Sequence, residues 1–196
     1  SLALRRWFLP LLLALLPGCA GLPQGVERVP SQAFGDAAAT RLAEVAAASL
    51  GPQEEGAPAR SGLPLLPAGD QALEARLALV RMAQRSVDAQ YYQIADEASG
   101  RQFLRELRDA GLRGVRVRLL VDDLYGGGED ALLAGLAALP GVEVRLFNPL
   151  PARVGSVARR TVLSLHEFSR VNRRMHNKLL VADNAFAISG GRNIAD

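Results

Sequence analysis

Twenty-three side chains of this 196-residue chain are lysine or arginine, and only one of them is a lysine. That lysine, Lys178, stands two residues after His176, one of only two histidines. A compact ammonium and a planar guanidinium do different chemistry, so a lone lysine among arginines marks its position. In an extended strand residues i and i+2 point to one face, so His176 and Lys178 project together if the strand begins by Met175. Downstream, Lys178–Ala182 and Ala185–Ser189 are short apolar runs joined at Asp183-Asn184. This spacing predicts a hairpin, which returns Gly190-Gly191-Arg192-Asn193 alongside His176. Gly190 and Gly191 remove side chains there and let a ligand approach the backbone. The resulting pocket suits a phosphate: Lys178 neutralises charge, Asn193 donates hydrogen bonds, Gly191 leaves the backbone open, and His176 is a nucleophile for phosphorus. No carboxylate cluster or second histidine is placed to complete a metal site, so neither a metal nor another cofactor is implied.

The elements that must position these residues are legible upstream. Asp70 is placed to cap a helix running to about Gln84, with Leu73, Leu77 and Val80 on one face. Val87–Ile94 reads as a strand, and Tyr91 and Tyr92 within it read as core and interface residues. Ser99 is expected to cap a second helix carrying Phe103, Leu104 and Leu107. Val115–Val121 is a strand ending in Asp122 and Asp123, where either a functional role or turn formation before Gly126-Gly127-Gly128 accounts for the two carboxylates. Glu129–Leu139 reads as a third helix and Val142–Phe147 as a third strand. Strands alternating with helices predict an α/β fold with a mostly parallel sheet, made mixed by the final hairpin.

Composition sets wider bounds. Hydrophobic residues make up 49% of the chain, which excludes wholesale disorder. A formal charge of +3 points weakly to an anionic partner, lipid or nucleic acid. Residues 1–18 read as an export signal: Arg5 and Arg6 precede a short apolar stretch, Trp7 to Leu16, interrupted by Pro10. The following Leu16-Pro17-Gly18-Cys19 resembles a bacterial lipobox, which makes Cys19 the expected lipidation site. Acyl chains there would hold the protein at a membrane surface, in the bacterial envelope and facing the periplasm. Cys19 is the only cysteine, so no intramolecular disulfide is possible. Residues 19–62 form an Ala/Gly/Pro-rich linker in which Asp36 to Leu50 is a candidate small helix, and residues 63–196 form the folded domain.

The run His176-x-Lys178-(x)4-Asp183-(x)6-Gly190-Gly191-x-Asn193 matches the signature of the phospholipase D superfamily. Ser86 to Tyr92, Arg113 to Asp123 and Phe147-Asn148-Pro149 also look like the first domain of that superfamily. The tracts around Arg173 to Lys178 and Gly190 to Asp196 are most similar to bacterial cardiolipin synthase C-type proteins. The resemblance implies a pair of histidines from two motif copies. One attacks the phosphodiester to give a phosphohistidine, and the other protonates the leaving alcohol. His176 is one of the pair, in either role. Lys178 and Asn193 bind the phosphate, and Asp183 belongs to the motif, with a structural role favoured over a chemical one. No second His-x-Lys motif is present, since Phe168 follows His166 at the lysine spacing. A chain that starts at Ser1 and stops at Asp196 is therefore expected to be a piece of a longer protein, inactive alone and completed by a second phospholipase D-like half.

The implied activity is phosphatidyl transfer that forms cardiolipin from phosphatidylglycerol and a second phospholipid such as phosphatidylethanolamine. A phospholipase, a nuclease on the same fold, or a non-catalytic lipid-binding lipoprotein are the alternatives. The expected lipid anchor places phospholipid ahead of nucleic acid as the partner.

Overall fold

The computed structural model describes residues 22, 25–27, 29–36, 39–52, 56, 58 and 60–196. The expected leader, residues 1–18, and Cys19 lie outside these.

A five-stranded sheet in the order β3-β2-β1-β4-β5 organises the chain. Its strands are β1 (Ser86–Tyr91), β2 (Arg116–Asp122), β3 (Val142–Phe147), β4 (Lys178–Ala182) and β5 (Phe186–Ser189). β1 pairs parallel with β2, and β2 parallel with β3. β4 runs antiparallel to both β1 and β5, so the sheet is mixed at the expected hairpin. Asp183 and Asn184 take positive φ, 51° and 53°, as a tight two-strand connection of this kind demands.

Alternation decides the two faces. Val87, Ala89, Tyr91, Val117, Leu119, Val121, Leu180 and Ala182 are all buried. Helices α2 (Gly69–Met82) and α3 (Ala98–Leu112) pack Leu77, Val80, Phe103, Leu107 and Ala110 into the same core. Burying Phe103 alone is worth about 1.5–3 kcal/mol. The opposite face carries Asp88, Arg118 and Glu143, crossed by residues 31–34: Ser31 donates to Glu143 at 2.9 Å, and the Arg116 guanidinium lies over the Phe34 ring at 4.8 Å.

Helix starts differ from the sequence reading in an instructive way. Helix α1 (Arg41–Leu50) begins at Thr40, whose hydroxyl accepts the Ala43 amide, while Asp36 pairs with Arg85 at 3.1 Å instead. Asp70 sits inside the first turn of α2 and accepts from the adjacent Gln71 amide; no side chain caps that helix. The N-terminus of α3 is capped across the fold. The Asp196 carboxylate accepts from the Ala98 and Ser99 amides at 3.1 and 3.0 Å, and Ser99 itself contributes no cap bond. A local-sequence rule looks for the cap one residue before a helix and misses one supplied 97 residues downstream.

Candidate functional site

β1 leaves the sheet at a bend beginning with Tyr92. Its Tyr92 amide still donates to the Asn177 carbonyl at 2.9 Å, so pairing continues one step beyond β4 and fixes the residue after His176. Two contacts then converge on the Tyr92 ring. The His176 imidazole packs against it with centroids 4.6 Å apart, tilted by 56°. The Lys178 ammonium lies over it at 4.9 Å, a cation–π arrangement. The ammonium also donates to the His176 carbonyl at 3.0 Å. Tyr125 meets the same ring edge-on at 5.4 Å.

Lys178 is only 4% exposed, whereas His176 is open to solvent. No carboxylate pairs with Lys178 among the described residues. Burial lowers its pKa below the ordinary lysine value. A buried cation lacking a counterion is costly, and an anion arriving beside it is correspondingly favoured. Burial likewise raises the pKa of Tyr92, helped by its hydrogen bond to Tyr125, so the phenol stays neutral.

Asn193 reaches the same end of the sheet by another route. The Gly190 amide donates to the Lys178 carbonyl at 3.3 Å, extending the hairpin. The chain then crosses to the continuation of β1, where the Ile194 amide donates to Gln93 and its carbonyl accepts from Ala95 at 2.8 Å. Gly100 lets the first turn of α3 lie against Ala95: a Cβ there would lie 1.8 Å from the Ala95 carbonyl oxygen. The Asn193 amide oxygen is buried without a partner among the described residues. Asn193 lines a concavity of about 450 Å³ with Arg76, Ser99 and Arg192, which His176 and Lys178 do not line. Gly190 and Gly191 are exposed, with open space where a Cβ would stand.

Asp183 stands at the opposite end of β4, seven residues from His176 and roughly 20 Å away at the usual strand rise. Its buried carboxylate accepts from the Gln84, Arg85 and Ser86 amides, at 2.9, 2.7 and 2.9 Å. It fastens the α2–β1 loop to the hairpin turn.

Three residues gain roles that the sequence reading did not give them. Asp122 is fully buried and accepts from the Met175 amide at 2.7 Å and from Arg174 at 3.1 Å, clamping the segment that leads into His176. Asp123, also fully buried, accepts from the Leu150 amide at 2.7 Å and from Arg160 at 2.8 Å, with Arg153 closing the cluster. Tyr92 is the third. Its neighbour Tyr91 is core, bonded to Arg76 at 2.9 Å, whereas Tyr92 forms the floor beneath the imidazole and ammonium. Arg173 is exposed, its guanidinium without a partner among the described residues, Arg192 binds the Pro67 carbonyl, and His166 is exposed beside the Leu163 carbonyl.

A mixed α/β domain that sets a His-x-Lys pair at one end of its sheet defines a recognisable class. The family described as "Cardiolipin synthase, PLD-like domain" matches residues 77–196, and the chain belongs to this phospholipase D-like family. Cardiolipin synthase C of Escherichia coli is 44% identical over 139 residues, covering 71% of this chain and 28% of that protein. An uncharacterized protein of Helicobacter pylori strain J99 is 39% identical over 142 residues, covering 71% of this chain and 27% of that one. Cardiolipin synthase A of Pseudomonas fluorescens is 30% identical over 132 residues, covering 67% and 25%. The chain thus spans 28% or less of the length of these three relatives. Among solved structures, NucT from Helicobacter pylori is similar at a TM-score of 0.46 and 18% identity, covering 64% of this chain and 69% of that one.

Proposed function

We propose that this chain supplies one half of a membrane-attached phosphatidyltransferase that acts on phospholipid phosphodiesters and makes cardiolipin. The observation that carries this reading is the buried Lys178 ammonium, without a carboxylate partner among the described residues, sharing the Tyr92 ring with the His176 imidazole. A phosphodiester carries one negative charge, which Lys178 is placed to neutralise, and an imidazole beside it is placed for attack or proton transfer. Asn193 supplies a further amide at the same end of the sheet.

In the proposed reaction an imidazole nitrogen forms a bond to phosphorus while the ester P–O bond breaks. The departing alkoxide takes a proton from the second histidine, contributed by a second phospholipase D-like half of the full-length protein. An acceptor hydroxyl then gives its proton back to that histidine, forms the new P–O bond and breaks P–N. A phospholipid alcohol in the second step gives transfer, with phosphatidylglycerol and phosphatidylethanolamine as fitting substrates; water gives hydrolysis. His176 serves as one member of the pair. Lipidation at Cys19 would hold the enzyme in the bacterial envelope beside its substrates. The 44% identity to a protein named cardiolipin synthase C supports the choice of lipid.

The test is lipid profiling of cells that depend on the full-length gene for cardiolipin. The His176→Ala form is expected to abolish cardiolipin with normal protein levels. Unchanged cardiolipin overturns the proposal.

A further inference from the structure

Between β3 and His176 the chain makes an excursion over residues 148–175. Following α4 (Asp130–Ala137) and β3, it contains α5 (Val157–Leu163), a 3₁₀ turn (Leu165–Glu167) and the short α6 (Phe168–Val171). Its inner side is firmly docked. Arg160 and Ser164, four residues apart and so on one helical face, are fully buried, and Leu150, Val171 and Met175 are buried with them. Its outer side is apolar and bare: Val154 is 76% exposed, Val162 63%, Leu163 49%, Leu165 51% and Phe168 57%. Five large apolar side chains exposed on one excursion of this length are more than the scattered single apolar residues of an ordinary surface.

The charge around the patch is one-sided. Residues 150–175 hold six arginines and one acidic residue, Glu167. Four of the arginines are committed: Arg153 and Arg160 to Asp123, Arg170 to Glu167, and Arg174 to Asp122. Arg159 and Arg173, on either side of the apolar turns, are exposed, and their guanidinium groups have no partner among the described residues. We infer that the outer face of this excursion docks on an anionic phospholipid bilayer, with Val162, Leu163, Leu165 and Phe168 at the headgroup–acyl boundary and Arg159 and Arg173 on lipid phosphates. The composition favours lipid over a protein partner, because aliphatic side chains dominate where protein interfaces favour aromatic ones. The excursion ends at His176, so docking brings the plane of phosphodiesters to the site. The inference deepens the proposed function and rests on it for the lipid nature of the substrate.

The test reads the patch itself. Trp7 is the only tryptophan, so Phe168→Trp in a Trp7→Phe chain places a single indole at an exposed position where no core packing is disturbed. With vesicles of phosphatidylglycerol and phosphatidylcholine, the indole emission is expected to shift to the blue and to be quenched by lipids brominated on their acyl chains. Adding Arg159→Glu and Arg173→Glu is expected to weaken that quenching response at least tenfold in lipid concentration. Two results overturn the inference: an indole still open to aqueous acrylamide while the chain sediments with the vesicles, or an indole already shielded before lipid is added, which would show another copy or a protein covering the face. The two proposals fail separately. Lost insertion with cardiolipin synthesis intact in the full-length protein removes only the docking surface. Intact insertion with cardiolipin unchanged by His176→Ala removes only the reaction.

Discussion

Lys178 carries its charge at 4% exposure with no carboxylate beside it, and the Tyr92 ring and one carbonyl are its only compensation among the described residues. Its folded pKa lies below its unfolded one. Between the lowered value and the ordinary lysine value of about 10.4, the unfolded chain therefore holds the extra proton, and stability rises with pH. Below that window the destabilising charge is fully felt. Lys178→Met is accordingly expected to unfold at the same or a higher temperature at pH 7, with the difference narrowing as the pH approaches that of a free lysine. Phosphate affinity, read by titration, is expected to fall at least tenfold. A variant that loses stability while keeping phosphate affinity would contradict this assignment. Residue type and spacing nominated His176, Lys178 and Asn193, and the structure sets the first two on one ring while Asn193 lines a separate concavity. Tyr92 was not nominated, because it sits at the bend where strict alternation ends, and alternation is the rule that sorts strand residues into inner and outer.

At the scale of elements, adjacent carboxylates at the end of β2 fix two different segments. Asp122 holds the approach to His176, and Asp123 holds the excursion that precedes it. Their placement at a strand end was legible, but their partners were not, since these lie 27 to 53 residues away in the chain. Gly126 is part of the same arrangement: a Cβ there would come within 3.0 Å of the Asp123 Oδ1 atom. Asp123→Ala leaves the Arg160 guanidinium buried and uncompensated, which costs about 3–5 kcal/mol for a broken buried pair. Urea denaturation should show that loss, and the double variant with Arg160→Met should recover most of it, since an apolar replacement removes the stranded charge. A loss below about 1 kcal/mol would match an exposed pair and contradict the burial seen here. Asp183 works in the same manner at the far end of β4, through three backbone amides.

For the whole molecule, the period-2 and helical patterns gave the succession of strands and helices through Phe147 and the closing hairpin, because each is written locally in the chain, but not the short helical turns between Val157 and Val171. Long-range pairings were beyond such reading: the Asp196 cap on α3, the Ile94–Ile194 bridge, and the passage of residues 31–34 over the second sheet face. The first two of these carry Gly190 to Asp196 across the sheet end. The proposed function requires this sheet end to bind a phosphate beside His176. The chain has only two histidines, and His166 lies on the exposed excursion, so each serves as a control for the other. Inorganic phosphate added to the nitrogen-15-labelled chain should move the ring resonances of His176, leave those of His166 unmoved, and have its effect on His176 abolished by Lys178→Met. Equal shifts at both histidines, or none at His176 at saturating phosphate, would contradict it.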